Sequence, residues 1–189
     1  MGQIKAAITD FDGTLVNTLE ANAHAYAAAA EALGIEWNDE LYRANFGLNW
    51  RDMAKVMGVP DDKAEELHEM KSLKYCLFLD KIDLNVDLLQ FFLYLQEQGV
   101  KICIATTAAE VNVMNVLKHF QIDDWFDVII TGDKERLKGK PAPDIYLEAL
   151  KKCKCNADEA IVFEDSEVGM DAAKAAGINF VKLDMNIKE

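Results

Sequence analysis

Four short segments of this chain carry side chains suited to chemistry on an anion. Asp10-Phe11-Asp12-Gly13-Thr14 places two carboxylates two residues apart, and Thr106-Thr107 offers paired hydroxyls. Gly139-Lys140-Pro141 supplies a cation, and Glu164-Asp165-Ser166 adds two adjacent acids and a hydroxyl. If the backbone stays extended from Asp10 to Asp12, their carboxylates point to the same side, with α-carbons about 6.5 Å apart. Acids gathered away from water must protonate or be countered by a cation. Asp10, Asp12, Glu164 and Asp165 together with Lys140 leave three formal negative charges. One divalent cation and a proton on Asp12 cancel them and admit a phosphate dianion. The candidate ligands are hard oxygens with no His or Cys among them, which suits Mg²⁺ rather than zinc.

These residues gain meaning from the elements that carry them. Ile4–Thr9, Lys101–Thr106, Val128–Thr131, Ala160–Phe163 and Asn179–Leu183 are short apolar runs that read as buried strands. Leu88–Glu97, Glu110–Phe120, Asp144–Lys152 and Val168–Ala176 have apolar residues at helical spacing, and Gly99 and Gly177 sit where helices need a left-handed stop. Strands alternating with helices predict an α/β fold, a Rossmann-like parallel sheet covered on both faces. In such sheets ligands bind outside the carboxyl ends of the strands, where all four segments fall. Taken singly, each has an ordinary explanation: an Asx turn, a helix cap, a surface lysine, a strand terminus. Convergence on one sheet edge, in strand order, is what those explanations do not supply.

The alternation breaks between residues 17 and 82. Asn17–Leu33, Asp39–Asn45, Arg51–Val56 and Asp62–Leu79 read as helices, with no convincing strand. The expected organisation is a core of residues 1–16 and 83–189 and an inserted helical cap of residues 17–82, hinged on Val16–Thr18 and Lys81–Val86.

Twenty basic against thirty-three acidic residues give a net charge of −13 and a pI near 4.6. That field disfavours nucleic acid and anionic membranes and makes local positive charge necessary for an anionic substrate. No long uncharged apolar run exists, and Met1–Ala7 lacks the apolar core of a signal peptide. A cytoplasmic protein is expected, as a monomer or weak homodimer. Cys103 lies in an apolar run, and Cys153 and Cys155 lack the partners of a zinc site, so the four cysteines read as reduced thiols.

The pattern Asp10-Phe11-Asp12-Gly13-Thr14-Leu15, Thr106, Gly139-Lys140-Pro141-x-Pro143-Asp144 and Glu164-Asp165-Ser166-x-x-Gly169 resembles the haloacid dehalogenase superfamily. The likeness is to its phosphoglycolate phosphatase and β-phosphoglucomutase branch, which has a helical cap after the first motif. The resemblance implies a phosphatase acting on a small phosphorylated metabolite, of sugar phosphate or phosphoglycolate type. Asp10 would be the nucleophile that becomes an aspartyl-phosphate, and Asp12 the acid and base that serves the leaving alcohol and then water. Thr106 would hold the phosphoryl oxygens together with the backbone N–H groups after Asp10, starting at Phe11, with Thr107 beside them. Lys140 would neutralise the charge. Mg²⁺ would sit on Asp10, the Asp12 carbonyl and Asp165, with Glu164 as ligand or behind them. Gly47, Asn49 and Arg51 would form a substrate loop in a cap that closes over the sheet edge, and Arg51 would hold a carboxylate or second phosphate.

An acid at position 12 separates this chain from the dehalogenases and phosphonatases. Mutases carry a histidine early in the cap where this chain has Asn22, with His24 offset by two. A sugar phosphomutase is therefore the second reading. A third is a non-enzymatic phospho-accepting module, which would place its adjacent acids after the first strand and need no insertion. Asn17 and Thr107 also depart from the branch, and the chain's end at Glu189 is slightly short for it, where a further helix is expected.

Overall fold

A computed structural model describes residues 3–46, 48, 50–132, 137–183 and 185. These fall into two compact units, Met1–Asn17 with Asp83–Glu189 and, separately, Thr18–Ile82.

The first unit is built on five parallel strands, β1 (Ala6–Thr9), β4 (Lys101–Thr106), β5 (Val128–Thr131), β6 (Ala160–Glu164) and β7 (Asn179–Lys182). Their order is β5-β4-β1-β6-β7, with Ile8 beside Cys103 on one side and Val162 on the other. From β1 the chain moves outward to β4 and β5, then returns to the far side of β1 for β6 and β7. The reversal makes the carboxyl end of β1 the switch point at which such sheets bind ligands. Helices α5 (Val86–Glu97), α6 (Glu110–His119), α7 (Asp144–Cys153) and α8 (Glu167–Ala175) link the strands.

Alternation along each strand feeds both faces of the sheet. Ile8, Cys103, Ala105, Ile130 and Val162 pack with Ile145, Tyr146 and Ala149 of α7 and Ala172 and Ala173 of α8. On the opposite face Phe92 of α5 meets Phe163 edge-on, ring centroids 5.3 Å apart. The central strands β1, β4 and β6 are buried on both sides and read as apolar runs that end where chemistry-bearing residues begin, whereas the edge strand β7 is largely exposed. All four cysteines are free thiols, and Cys103 and Cys153 are buried.

Two features differ from the expectation drawn from periodicity. Val16–Asn17 (β2) and Asp83–Leu84 (β3), read as hinge, pair as a two-residue antiparallel ribbon. Asn85 ties the ribbon to the first loop, its N–H donating to the Leu15 carbonyl and its side chain to the Thr14 carbonyl. Such short strands have no period to detect. The backbone also fails to stay extended over Asp10–Asp12. It turns there, with the Phe11 carbonyl accepting from the N–H groups of Leu15 and Val16 at 3.0 Å each.

The second unit contains α1 (Leu19–Leu33), α2 (Asp39–Ala44), α3 (Trp50–Val56) and α4 (Asp61–Tyr75). The expected helix over 62–79 stops at Tyr75 and continues as a 3₁₀ segment, Cys76–Lys81, kinked at Phe78. Ala23, Tyr26, Ala29 and Ala30 of α1 form a core with Tyr42, Met53, Ala54, Val59 and Leu67. Trp37 stacks on Tyr26 at 5.1 Å. Lys71 of α4 is buried, its ammonium 4.7 Å from the Tyr75 ring and 5.4 Å from that of Tyr26. Among the described residues no helix is long and apolar enough to cross a membrane.

Candidate active site

Asp10 follows β1 directly, and its N–H donates to the Phe163 carbonyl at 3.0 Å, so the residue is fixed by the sheet itself. Lys140 reaches it from the loop before α7. The Lys140 ammonium lies 2.5 Å from Asp10 Oδ1 and 2.5 Å from Glu164 Oε1, with the lysine side chain 6 % exposed and that of Glu164 fully buried. The Lys140–Pro141 peptide is cis.

Glu164 ends β6 and gathers donors on both oxygens. Oε1 also accepts from the Tyr146 hydroxyl at 2.9 Å. Oε2 accepts from the N–H groups of Asp165 and Ser166 at 3.0 Å each and from the Ser166 hydroxyl at 2.9 Å. Ser166 also caps α8, its oxygen accepting from the Gly169 N–H at 3.1 Å. The side chain of Asp165 is held through Oδ1, which accepts from the buried Thr14 hydroxyl at 3.0 Å.

Two glycines make this crowding possible. Gly13 has φ +86°, a left-handed conformation, and a side chain there would overlap the Asp165 carboxylate. Gly169 lies in α8, where a methyl group would overlap the carboxylate of Glu164.

Electrostatics follow from the burial. Desolvation pushes the Asp10 carboxyl up to about 8; Lys140 pulls the other way, and Glu164 and Asp12 add repulsion. Burial likewise raises Asp165, opposed by the Thr14 hydroxyl and reinforced by Glu164. For Glu164 burial is outweighed by Lys140 and Ser166, and its carboxyl lies below the usual range. Burial would lower Lys140, but Asp10, Tyr146 and Glu164 more than offset it, so the ammonium is held charged.

The carboxylates of Asp10, Glu164 and Asp165 have oxygens within 4.8 Å of one another. This is an all-oxygen donor set in which burial raises Asp10 and Asp165, an arrangement that suits a hard divalent cation. The residues fit such an ion. Because Glu164 already accepts five donors, Asp10 and Asp165 are the carboxylates with oxygens to offer. The carboxylate of Asp12 is outside this cluster; the residue sits in the turn, bridged to Val16.

The remaining expected residues divide cleanly. Phe11 buries its side chain at 1 % exposure, so only its backbone can face a ligand. Thr106 ends β4, buried, its hydroxyl accepting from the Ala108 N–H at 3.1 Å, while Thr107 is exposed. Arg51 belongs to the second unit, its guanidinium carbon 4.2 Å from the Trp50 ring centroid. The Trp50 ring in turn stacks on His68 at 4.6 Å. Gly47 and Asn49 lie outside the described residues.

Sequence reading gave no role to Thr14, Gly169 or Tyr146. The first two stand within the motifs, so their spacing was a usable signal. Nothing in the sequence marks Tyr146 off from an ordinary apolar position of α7.

Residues 7–183 match the family model of the haloacid dehalogenase-like hydrolases. The chain belongs to that family and is a hydrolase of its type. It is 32 % identical over 193 residues to protein CbbY of Rhodobacter capsulatus, covering 95 % of this chain and 85 % of that protein. It is 27 % identical over 179 residues to a phosphorylated carbohydrates phosphatase of Thermotoga maritima, covering 93 % and 82 %. A solved structure of Rhodobacter sphaeroides CbbY in complex with xylulose-(1,5)bisphosphate superposes with a TM-score of 0.83 at 26 % identity, covering 99 % of this chain and 90 % of the other.

Proposed function

We propose that this chain is a Mg²⁺-dependent phosphatase that hydrolyses a small phosphate monoester, of sugar phosphate type, through an aspartyl-phosphate on Asp10. The observation that carries the reading is the Lys140 ammonium, buried and shared between Asp10 and Glu164 at 2.5 Å. An acid beside a fixed cation, on the strand at the switch point, is a carboxyl group positioned for attack, and an ion shared with Asp165 would favour its ionised form.

Phosphoryl transfer depends on positioning and charge stabilisation more than on elaborate covalent chemistry. In this reading Asp10 attacks phosphorus while Asp12 gives a proton to the departing alcohol. Asp12 then takes one from the water that cleaves the aspartyl-phosphate. Thr106 and the backbone N–H groups from Phe11 onward orient the phosphoryl oxygens, with Thr107 beside them, and Lys140 offsets their charge. Asp10, Asp165 and the Asp12 carbonyl would hold Mg²⁺, with Glu164 behind them. The bound ion supplies positive charge against the phosphoryl oxygens.

Substrate choice is assigned to the helical insertion, residues 17–82, through Gly47, Asn49 and Arg51. Relatives acting on phosphorylated carbohydrates support a sugar phosphate as the substrate class. The phosphatase reading is favoured over the mutase by Asn22, whose amide donates to the Thr18 carbonyl at 3.0 Å and cannot serve as an acid or base near neutral pH. The protein is assigned to the cytoplasm and to small metabolites, not to nucleic acid or membrane.

The test is phosphate release across sugar phosphates, phosphoglycolate and nucleotides, with Asp10→Asn in parallel. Wild type should release phosphate with Mg²⁺, fall silent in EDTA and recover on adding the ion. Asp10→Asn should lose turnover while keeping its fold by circular dichroism. Turnover retained by Asp10→Asn, or undiminished by EDTA, would remove the mechanism.

A further inference from the structure

Among the described residues Tyr146 is the largest fully buried side chain, and its hydroxyl serves the polar centre. It stands in the first turn of α7, only six residues after Lys140, with its hydroxyl donating to Glu164 Oε1 at 2.9 Å. That oxygen is the one the Lys140 ammonium approaches at 2.5 Å, and the same ammonium lies 5.0 Å from the Tyr146 ring centroid. One phenol thus contacts both members of the pair that faces Asp10.

The physical need for such a group is clear. A lysine ends in a compact charge on a flexible four-carbon stem, so burial alone does not fix where the ammonium sits. Its two carboxylate contacts here are useful only if the carboxylates are themselves immobile. Asp10 is held by β1. Glu164 has Oε2 tied down by Asp165 and Ser166, which leaves its rotation about the carboxylate axis to be set at Oε1. Tyr146 is the neutral donor at that oxygen. Its ring adds an electron-rich face toward a cation with almost no water.

We propose that Tyr146 is a positioning residue that orients Glu164 and, through it, delivers the Lys140 ammonium to Asp10. This rests on the reading above that Lys140 serves a nucleophilic Asp10. Tyr146 touches no reacting atom; its effect passes through Glu164.

The experiment measures p-nitrophenyl phosphate hydrolysis in saturating Mg²⁺ for Tyr146→Phe, Glu164→Gln and the double variant, with thermal midpoints alongside. Tyr146→Phe keeps the ring and the packing. It should lower kcat about tenfold and leave KM nearly unchanged, while the one lost hydrogen bond lowers the thermal midpoint by about 5 °C. In the Glu164→Gln background the same change should alter kcat by less than about twofold, because the charged carboxylate that Tyr146 orients toward Lys140 is gone. A kcat for Tyr146→Phe within about twofold of wild type would overturn the proposal. So would equal losses in both backgrounds, or a loss of stability with kcat per folded molecule unchanged. Asp10→Asn keeps the two ideas apart. If it turns over, the nucleophile is wrong, whereas a dead Asp10→Asn beside an unimpaired Tyr146→Phe would reject Tyr146 alone.

Discussion

Replacing Lys140 by methionine removes one charge and nearly no volume, and the structure gives the consequences for both stability and rate. Two carboxylates would remain around the vacated position, each formerly 2.5 Å from the ammonium. At an effective dielectric near 20, each contact is worth roughly 6 kcal/mol of gross attraction. Most of that repaid the cost of burying the charges, and removing one member of a buried pair costs about 3–5 kcal/mol net. For a protein of this length that is a fall in thermal midpoint of roughly 10 °C.

The loss should depend on pH, and its sign can be worked out. Asp10 is already raised to about 8 by burial with the lysine present, and removing the lysine raises it further. An acid whose folded pKa exceeds its unfolded value near 4 keeps its proton on folding, so its stability contribution is full below pH 4 and lost as pH rises through the folded value. Below about pH 8 Asp10 holds its proton with or without the lysine, so this part of the Lys140→Met penalty should be level in mild acid and grow as pH rises above about 8. Turnover should fall by about a thousandfold or more at every pH, because Asp10, the proposed nucleophile, then lacks the cation that positions it. Differential scanning calorimetry in EDTA from about pH 5 to about pH 10, with p-nitrophenyl phosphate assays in Mg²⁺, measures both. A midpoint unmoved at pH 8, or a rate within tenfold of wild type, would refute the electrostatic account of the site.

Gly169→Ala should destabilise by about 2 kcal/mol, although alanine in an ordinary helix gains about 1 kcal/mol over glycine, because the added methyl meets a Glu164 carboxylate held by five donors. A raised unfolding midpoint would show that this packing is misjudged. Arg51→Ala should reorder sugar phosphate substrates by about tenfold or more while changing p-nitrophenyl phosphate hydrolysis little; parallel kinetics on both would expose equal losses and so reject the assignment of Arg51 to specificity.

Much of this protein was legible in one dimension. The strands Lys101–Thr106 and Val128–Thr131 coincide with their apolar runs, because a strand covered on both faces has no polar residue until it ends. The acids and threonine of the site were legible for the same reason, standing at or just past the points where those runs stop, whereas Lys140 was marked only by its Gly139-Lys140-Pro141 setting in a loop. The ribbon of Val16–Asn17 with Asp83–Leu84 escaped notice because two residues carry no period and their pairing spans the whole insertion. The extended geometry expected for Asp10–Asp12 failed because the Phe11 carbonyl turns the chain back on itself, a contact that spacing does not encode.

The sequence by itself determined which chemistry is possible here: hard acids, one amine and hydroxyls at the ends of buried strands, in an acidic chain that needs local positive charge to admit a phosphate. Only the tertiary structure decided how the acids divide the work. Hydrogen-bond partners are set by separations in space, and Lys140, Tyr146 and Glu164 come together through the docking of α7 on the sheet rather than through any interval along the chain. That docking turns Glu164 into a fixed hub, leaves Asp10 and Asp165 with oxygens for a cation, and makes Gly169 indispensable for a reason its own helix does not supply.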